Sequence, residues 1–318
     1  MSLDPGPPAT PPARRAKPLS RADIQAQVRA RREQFEEANE KITARSGRNL
    51  VSAIAIGVVL AGVMILSLVV FKEIFMLLAA ILVAFGTLEL GTALRHADIR
   101  VPRVPAMVAG VAIVPAAYYW GAEGQWLVFA GGVVLVALWR LVEAAVRRTG
   151  AGGRGLLRDL GAGVFVQVYV SFLGSVAVLL VSQEGGQWWV LSFIVVVVLV
   201  DVGAYATGLN FGKHPMAPTI SPKKTWEGLA GAVIAALIGG VLLAVLLLGQ
   251  PWWMGVLFGA VIAATATVGD LAESLIKRDI GVKDMSSWLP GHGGFLDRLD
   301  SMLPSAAAAY VLWVVFAR

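Results

Sequence analysis

Long apolar runs dominate the chain from about residue 50 to its end, and short polar clusters break them at regular intervals. Apolar segments lie at about 50–71, 74–94, 104–120, 125–142, 162–182, 187–209, 228–249, 252–271 and 301–317. A bilayer core of about 30 Å takes roughly 20 apolar residues per helix. The pattern therefore predicts about nine transmembrane helices, some short or closely joined. Ahead of them, residues 1–18 are rich in Pro, Ala and Arg and lack the apolar content to fold alone. They hold no apolar core before a cleavage site, so no signal peptide is expected. From Ser20 to about Arg45 charge is dense, and Ile24, Val28, Phe35 and Ile42 form a thin stripe at helical spacing. A solvated helix near the membrane surface and an amphipathic helix anchored in the interface both fit that stripe. The division is a basic tail over 1–48, partly disordered with a charged helix, and a transmembrane domain over 49–318.

The polar breaks alternate in charge. One set carries Arg95, Arg100 and Arg103, then Arg147, Arg148, Arg154 and Arg158, then Lys213, Lys223 and Lys224, then Lys277, Arg278, Lys283 and Arg298. The other set is short and nearly uncharged: Lys72-Glu73, Gly121 to Gln125, Gln183 to Gln187, and Gly249 to Pro251. Basic loops stay on the cytoplasmic side. Nine spans put every basic loop and the N-terminus in the cytoplasm, with the C-terminus outside. An even count would need one of the first two spans to be re-entrant.

Composition agrees with an all-α polytopic integral membrane protein: 57% of the 318 residues are hydrophobic and 15% charged, which excludes an ordinary soluble domain. The net charge of +6 reports topology before it reports any nucleic acid. With no Cys, disulfides, zinc thiolates and thiol chemistry are excluded.

Three polar constellations carry the chemistry. At the end of the eighth span, Asp270, Glu273, Ser274 and Lys277 lie at i, i+3, i+4 and i+7, on one helical face. Acids there are costly unless they face a wet cavity or a partner, so a ligand site and simple pairing with Lys277 are both open. The second is Gly291 to Asp300, reading GHGGFLDRLD. Asp297 and Asp300 would share a face of a helix expected to begin around Phe295 and to kink at Pro304. The glycines allow backbone to approach a ligand, or simply supply the turn.

The third constellation joins the sixth and seventh spans. Asp201 lies inside an apolar helix, four residues before Tyr205. Gly208 to Lys213 is not a P-loop, because one residue is missing between the glycines and His214 stands where Ser or Thr should. Ser221 before Pro222 reads as an N-cap with Pro at the first helical position. Lys223 and Lys224 would then occupy the first turn, where the macrodipole disfavours cations unless a phosphate binds. Positive-inside anchoring is the plainer reading of the two lysines.

Together, Asp201, Asp270, Asp284, Asp297 and Asp300 fall on the same side as Lys223, Lys224, Lys277, Arg278, Lys283 and Arg298. Carboxylates without soft ligands suit Mg²⁺ or Mn²⁺ rather than zinc. Acids for a metal beside bases for phosphates are the equipment of phosphoryl or nucleotidyl transfer. An ion-coupled transporter is the competing reading, but its site would lie nearer the midplane and within paired repeats. Gly255, Gly259, Ala263 and Thr267 form a small-residue stripe on the eighth span, for which a homodimer and packing within one chain account equally.

Ser274, Lys277-Arg278, Lys283-Asp284, Pro290, His292-Gly293-Gly294 and Asp297-Arg298-Leu299-Asp300 closely resemble the C-terminal pattern of the phosphatidate cytidylyltransferase (CDP-diacylglycerol synthase) family. Ser221 to Gly228, and Asp201 with Tyr205, are similar to that family too; the detailed match spans about residues 195–303 and excludes the tail. The resemblance implies an enzyme joining CTP and phosphatidate from the bilayer into CDP-diacylglycerol, with release of pyrophosphate. It implies Mg²⁺, in some members with a monovalent cation such as K⁺, and a bacterial plasma (inner) membrane. Carried over by position, Asp270 and Asp297 are the first metal ligands, followed by Asp300, Asp201 and Asp284. Asp270, Asp297, Lys277 and Arg298 are the implied catalytic set. Ser221, Lys223, Lys224, Thr225, Arg278, Lys283, His292, Gly293 and Gly294 would hold the substrates. A phosphomonoester loses its second proton near pH 6, about where phosphatidate becomes a dianion. It needs no strong base, so His292 is expected to position or hydrogen-bond. The lipid acceptor stays open between phosphatidate and another lipid phosphate or lipid alcohol, because acyl chains meet only apolar walls.

Overall fold

A computed structural model describes residues 62–147, 153–286, 288 and 294–317. The charged tail, the start of the first predicted span, Arg148, Pro290, His292 and Gly293 lie outside the described residues. In chain order the elements are α1 (Lys72–His96), α2 (Arg103–Arg147), α3 (Gly153–Val166), a π-helical segment (Gln167–Phe172), α4 (Leu173–Ser182) and α5 (Gly186–Phe211). A short hairpin follows, β1 (Pro215–Ala217) and β2 (Ser221–Thr225). The chain continues through α6 (Trp226–Leu246), α7 (Trp252–Asp279), a 3₁₀ turn (Leu296–Arg298) and α8 (Met302–Phe316).

Helix dominates because a chain in hydrocarbon must satisfy its backbone hydrogen bonds within each segment. Among the described residues six helical stretches are long and apolar enough to cross a membrane, and Met302–Phe316 is a shorter apolar helix. The count of about nine differs from this for identifiable reasons. The predicted spans 104–120 and 125–142 run together as α2, interrupted only at Gly121, whose φ of 65° and ψ of −153° are non-helical. The predicted span 50–71 falls partly outside the described residues. Pro304 does not kink a helix begun at Phe295. The final helix starts at Met302, and Pro304 sits in its first turn, where a missing N–H costs nothing.

Small residues let α5, α6 and α7 approach closely. A Cβ on Gly203 of α5 would meet the Gly231 carbonyl of α6 at 2.7 Å. A Cβ on Gly255 of α7 would stand 2.6 Å from the Val241 Cα, and one on Gly240 would stand 2.9 Å from the Gly259 Cα. The predicted stripe on the eighth span is therefore packed against α6 of the same chain. Earlier in the chain, Arg140 of α2 and Asp159 of α3 form a buried ion pair at 2.6 Å. The Arg100 N–H donates to the other Asp159 oxygen at 2.9 Å, completing the partners such a pair needs.

The hairpin replaces an expected first helical turn. Ser221–Thr225 is extended and antiparallel to Pro215–Ala217, with Pro215 opposite Thr225 and Ala217 opposite Ser221. The N-cap of α6 is Thr225, whose side chain accepts from the Gly228 N–H at 3.1 Å. Glu227 in the first turn accepts from the Lys213 and His214 N–H groups at 3.1 and 3.3 Å. Its other oxygen lies 2.5 Å from His214 Nδ1, tying the end of α5 to the start of α6. Lys223 and Lys224 therefore reach the site from a strand rather than from a helix N-terminus.

Candidate active site

The α7 face predicted by helical spacing is present, and its members find partners on three other segments. Lys277 Nζ donates to Glu273 Oε2 at 3.0 Å and to Asp297 Oδ1 at 2.8 Å. Ser274 Oγ donates to Asp270 Oδ1 at 3.4 Å. Asp270 also pairs with Lys224 of the hairpin. One turn beyond, Arg278 Nε donates to the Ile220 carbonyl at 3.2 Å, holding the hairpin against α7. The pairing expected with Lys277 belongs to Glu273, which is fully buried, while Asp270 takes its cation from a different motif.

Asp297 sits on the 3₁₀ turn and accepts three donors. Besides Lys277 it accepts from the Met285 N–H at 3.1 Å and the Gly294 N–H at 2.8 Å. Burial alone would raise its pKa, but the Lys277 hydrogen bond and the two amides outweigh burial and hold the carboxyl below the ordinary range. Asp300 is buried, and its Oδ1 accepts from the Ser301 N–H at 2.6 Å. Burial, reinforced by the Asp270 charge, pushes Asp300 up despite opposing hydrogen bonds from Glu273 and Ser301. Two acids three residues apart thus have opposite electrostatics.

A cavity of about 320 Å³ opens between α5, the hairpin, α6 and α7. Asp201, Tyr205, Lys223, Lys224, Thr225 and Asp270 supply its polar lining. Val200, Ala204, Leu229, Ala232 and Ala266 supply an apolar wall. The cavity unites Asp201 of α5, the two lysines of the hairpin and Asp270 of α7. Lys277, Asp297 and Asp300 form an adjoining network and are not part of its lining. Ser221 is half-buried at the start of β2, Gly294 is buried, and Arg278, Lys283, Asp284 and Arg298 are exposed.

No three His, Asp or Glu side chains among the described residues are grouped to hold a metal by themselves. Mg²⁺ rarely uses such an all-protein cage, taking one or two carboxylates and completing its shell with water and phosphate oxygens. Asp201 and Asp270 on one cavity fit that requirement.

One acid escaped the sequence reading. Glu89 of α1 is fully buried, and its carboxylate accepts from Ser286 Oγ at 2.5 Å, the Phe295 N–H at 2.9 Å and the Leu296 N–H at 2.8 Å. The available signal was a lone carboxylate inside an apolar run, which marks a functional position by default.

Comparison with known proteins shows the family. A profile described as the cytidylyltransferase family matches residues 51–316. The chain is similar to a phosphatidate cytidylyltransferase of Mycobacterium bovis, 41% identical over 275 residues, covering 85% of this chain and 90% of that relative. It is similar to its counterpart in Mycobacterium tuberculosis H37Rv, also 41% identical, over 85% of this chain and 84% of that one. The Mycobacterium leprae protein of the same name is 39% identical over 280 residues, covering 86% of this chain and 90% of that relative. The profile spans every element that lines the cavity and the relatives align along most of their own length, so the chain belongs to the cytidylyltransferase family.

Proposed function

We infer that this protein joins CTP and phosphatidate to give CDP-diacylglycerol and pyrophosphate, in phospholipid biosynthesis. The observation that carries the reading is the mixed cavity, where Asp201, Asp270, Lys223 and Lys224 face an apolar wall at the ends of membrane-length helices. A charged phosphate and an acyl-chain neighbour need those two surfaces together. The names of the mycobacterial relatives point to the same reaction.

The phosphate of phosphatidate is mostly dianionic above about pH 6, so its oxygen can attack the α-phosphorus of CTP without a strong general base. The protein's task is alignment and charge neutralisation. Lys223 and Lys224 meet phosphate oxygens from the strand, and Thr225 caps α6 beside them. Asp201 and Asp270 would hold Mg²⁺, which supplies positive charge to the triphosphate and the leaving pyrophosphate. Asp297 already accepts three donors, which leaves about one lone-pair site for a metal. Its proposed work is to hold Lys277 and the 294–297 turn in place. Arg298, Arg278 and Lys283 lie exposed nearby and are assigned to incoming phosphate.

The same reading puts the site on the cytoplasmic side of a bacterial plasma membrane, where CTP is supplied and where basic loops stay. Nine passes follow if α2 crosses twice about Gly121, the 50–71 segment crosses once and α8 crosses despite its length. Purified protein in detergent, given CTP, Mg²⁺ and a panel of lipid acceptors, should release pyrophosphate with phosphatidate above all others. Release with a different lipid phosphate or a lipid alcohol would reassign the acceptor, and no release from folded protein would sink the enzyme reading.

A further inference from the structure

The structure assigns to Glu89 the role of a positioning residue: its carboxylate clamps Ser286 together with Phe295 and Leu296, and so sets Asp297 and Lys277 for catalysis. This role rests on the cytidylyltransferase reading of the site. Glu89 belongs to α1, more than 170 residues before the α7 motif in sequence and outside the cavity lining. Its two oxygens receive three donors from the far end of the chain. Oε1 takes Ser286 Oγ at 2.5 Å and the Phe295 N–H at 2.9 Å, and Oε2 takes the Leu296 N–H at 2.8 Å. Two consecutive backbone amides converging on one fully buried carboxylate fix the backbone immediately before Asp297.

The neighbouring residues are fitted to this contact. A Cβ on Gly294 would stand 2.8 Å from both Glu89 oxygens, so a side chain there would push the carboxylate off the amides. Phe85, one helical turn before Glu89, stacks on Phe295 with ring centroids 4.8 Å apart and planes inclined by 13°. It also meets Trp288 edge-on at 5.7 Å. Thus α1 contacts Ser286 and Trp288 as well as Phe295 and Leu296. The Gly294 N–H that Glu89's neighbours hold in place donates to Asp297, and Asp297 in turn holds Lys277. The order of support is therefore Glu89, then the 294–296 backbone, then Asp297, then Lys277. A carboxylate is suited to this work because it accepts on both oxygens and donates nothing, whereas an amide would turn an NH₂ group toward one of the three donors.

The test pairs steady-state kinetics with hydrogen exchange on the full-length protein in detergent. Because α1 does not touch the Lys223, Lys224 and Asp270 cavity, Glu89→Gln should leave the KM for CTP within about threefold. The turnover number should fall roughly tenfold or more, as small misplacements of reacting groups commonly do. Exchange at the Phe295 and Leu296 amides should quicken while the α7 amides keep their protection. Glu89→Asp, with both oxygens retracted by one methylene, should recover part of the turnover. Wild-type kcat in Glu89→Gln, or unchanged exchange at those two amides, overturns the clamp. If Glu89→Gln does not fold, Ser286→Ala and Gly294→Ala address the same contact from its other side, and full turnover in both overturns it equally. Wild-type protein that releases no pyrophosphate refutes the reaction, while the exchange measurement still decides the clamp.

Discussion

Lys277 shows how one cation can serve two acids at once. It bridges a fully buried Glu273 and a largely buried Asp297, so neither acid is left to bear its burial alone. Asp297→Asn should lower stability by about 1–3 kcal/mol, reduced from the cost of breaking a fully buried pair because water still reaches the site. The pH dependence has a definite sign. The folded state holds the Asp297 carboxyl below its ordinary range, so its contribution is complete above the unfolded carboxylate pKa. It disappears as pH falls through the folded value, and the wild-type advantage in melting temperature over Asp297→Asn should shrink only in acid. Asp300 acts oppositely, since a raised pKa means its ionisation costs stability as pH rises past the ordinary range. An advantage that stayed constant down to strongly acid pH would remove Asp297 from the network. At the cavity, Lys224→Ala should raise the KM for CTP severalfold and Asp270→Asn should abolish turnover. Unchanged kinetics in Lys224→Ala would reduce the lysine to a partner for Asp270.

At the scale of elements, the parts legible in the sequence were those set by a single helical period. Asp270, Glu273, Ser274 and Lys277 share a face because 3.6 residues per turn puts them there, whatever lies across from them. The hairpin was not legible, because Ser followed by Pro suits both a helix start and an extended edge. What decided between them was pairing with Pro215–Ala217 and the cap at Thr225, neither of which a local pattern contains. Pro304 was misread for a related reason: Pro breaks a helix interior but fits a first turn, and the start at Met302 depends on the 3₁₀ turn before it. Glu89 was missed because its meaning lies in donors about 200 residues away. The close packing of α5 on α6 carries its own expectation. Gly203→Val would force a side chain into the Gly231 carbonyl, and by prying apart two walls of the cavity it should lower both detergent stability and CTP affinity. Normal CTP binding in that variant would show that the wall spacing is not set there.

For the whole molecule the decisive question is how many times the chain crosses the bilayer, and α2 carries it. A straight helix of 45 residues would be about 68 Å long, more than twice a hydrocarbon core of about 30 Å. Gly121, at a φ reserved for glycine, is the one non-helical position within it. If α2 is two passes joined there, Glu123 emerges on the face opposite Arg103 and on the same side as Glu184, the turn between α4 and α5. Both acids are exposed, and the chain has no cysteine, so single cysteines can be introduced without background. Glu123→Cys and Glu184→Cys should react with an impermeant thiol reagent added outside intact cells. Arg154→Cys and Lys283→Cys should react only after the membrane is opened. Labelling of Glu123→Cys from the same side as Arg154→Cys would make α2 a single long element running along or out of the membrane. The basic loops would then no longer alternate, and the cytoplasmic placement of the cavity would lose its topological support. With the expected pattern, Asp201, Asp270, Lys223 and Lys224 lie on the side of the membrane that supplies CTP, with the apolar wall of the same cavity beside them.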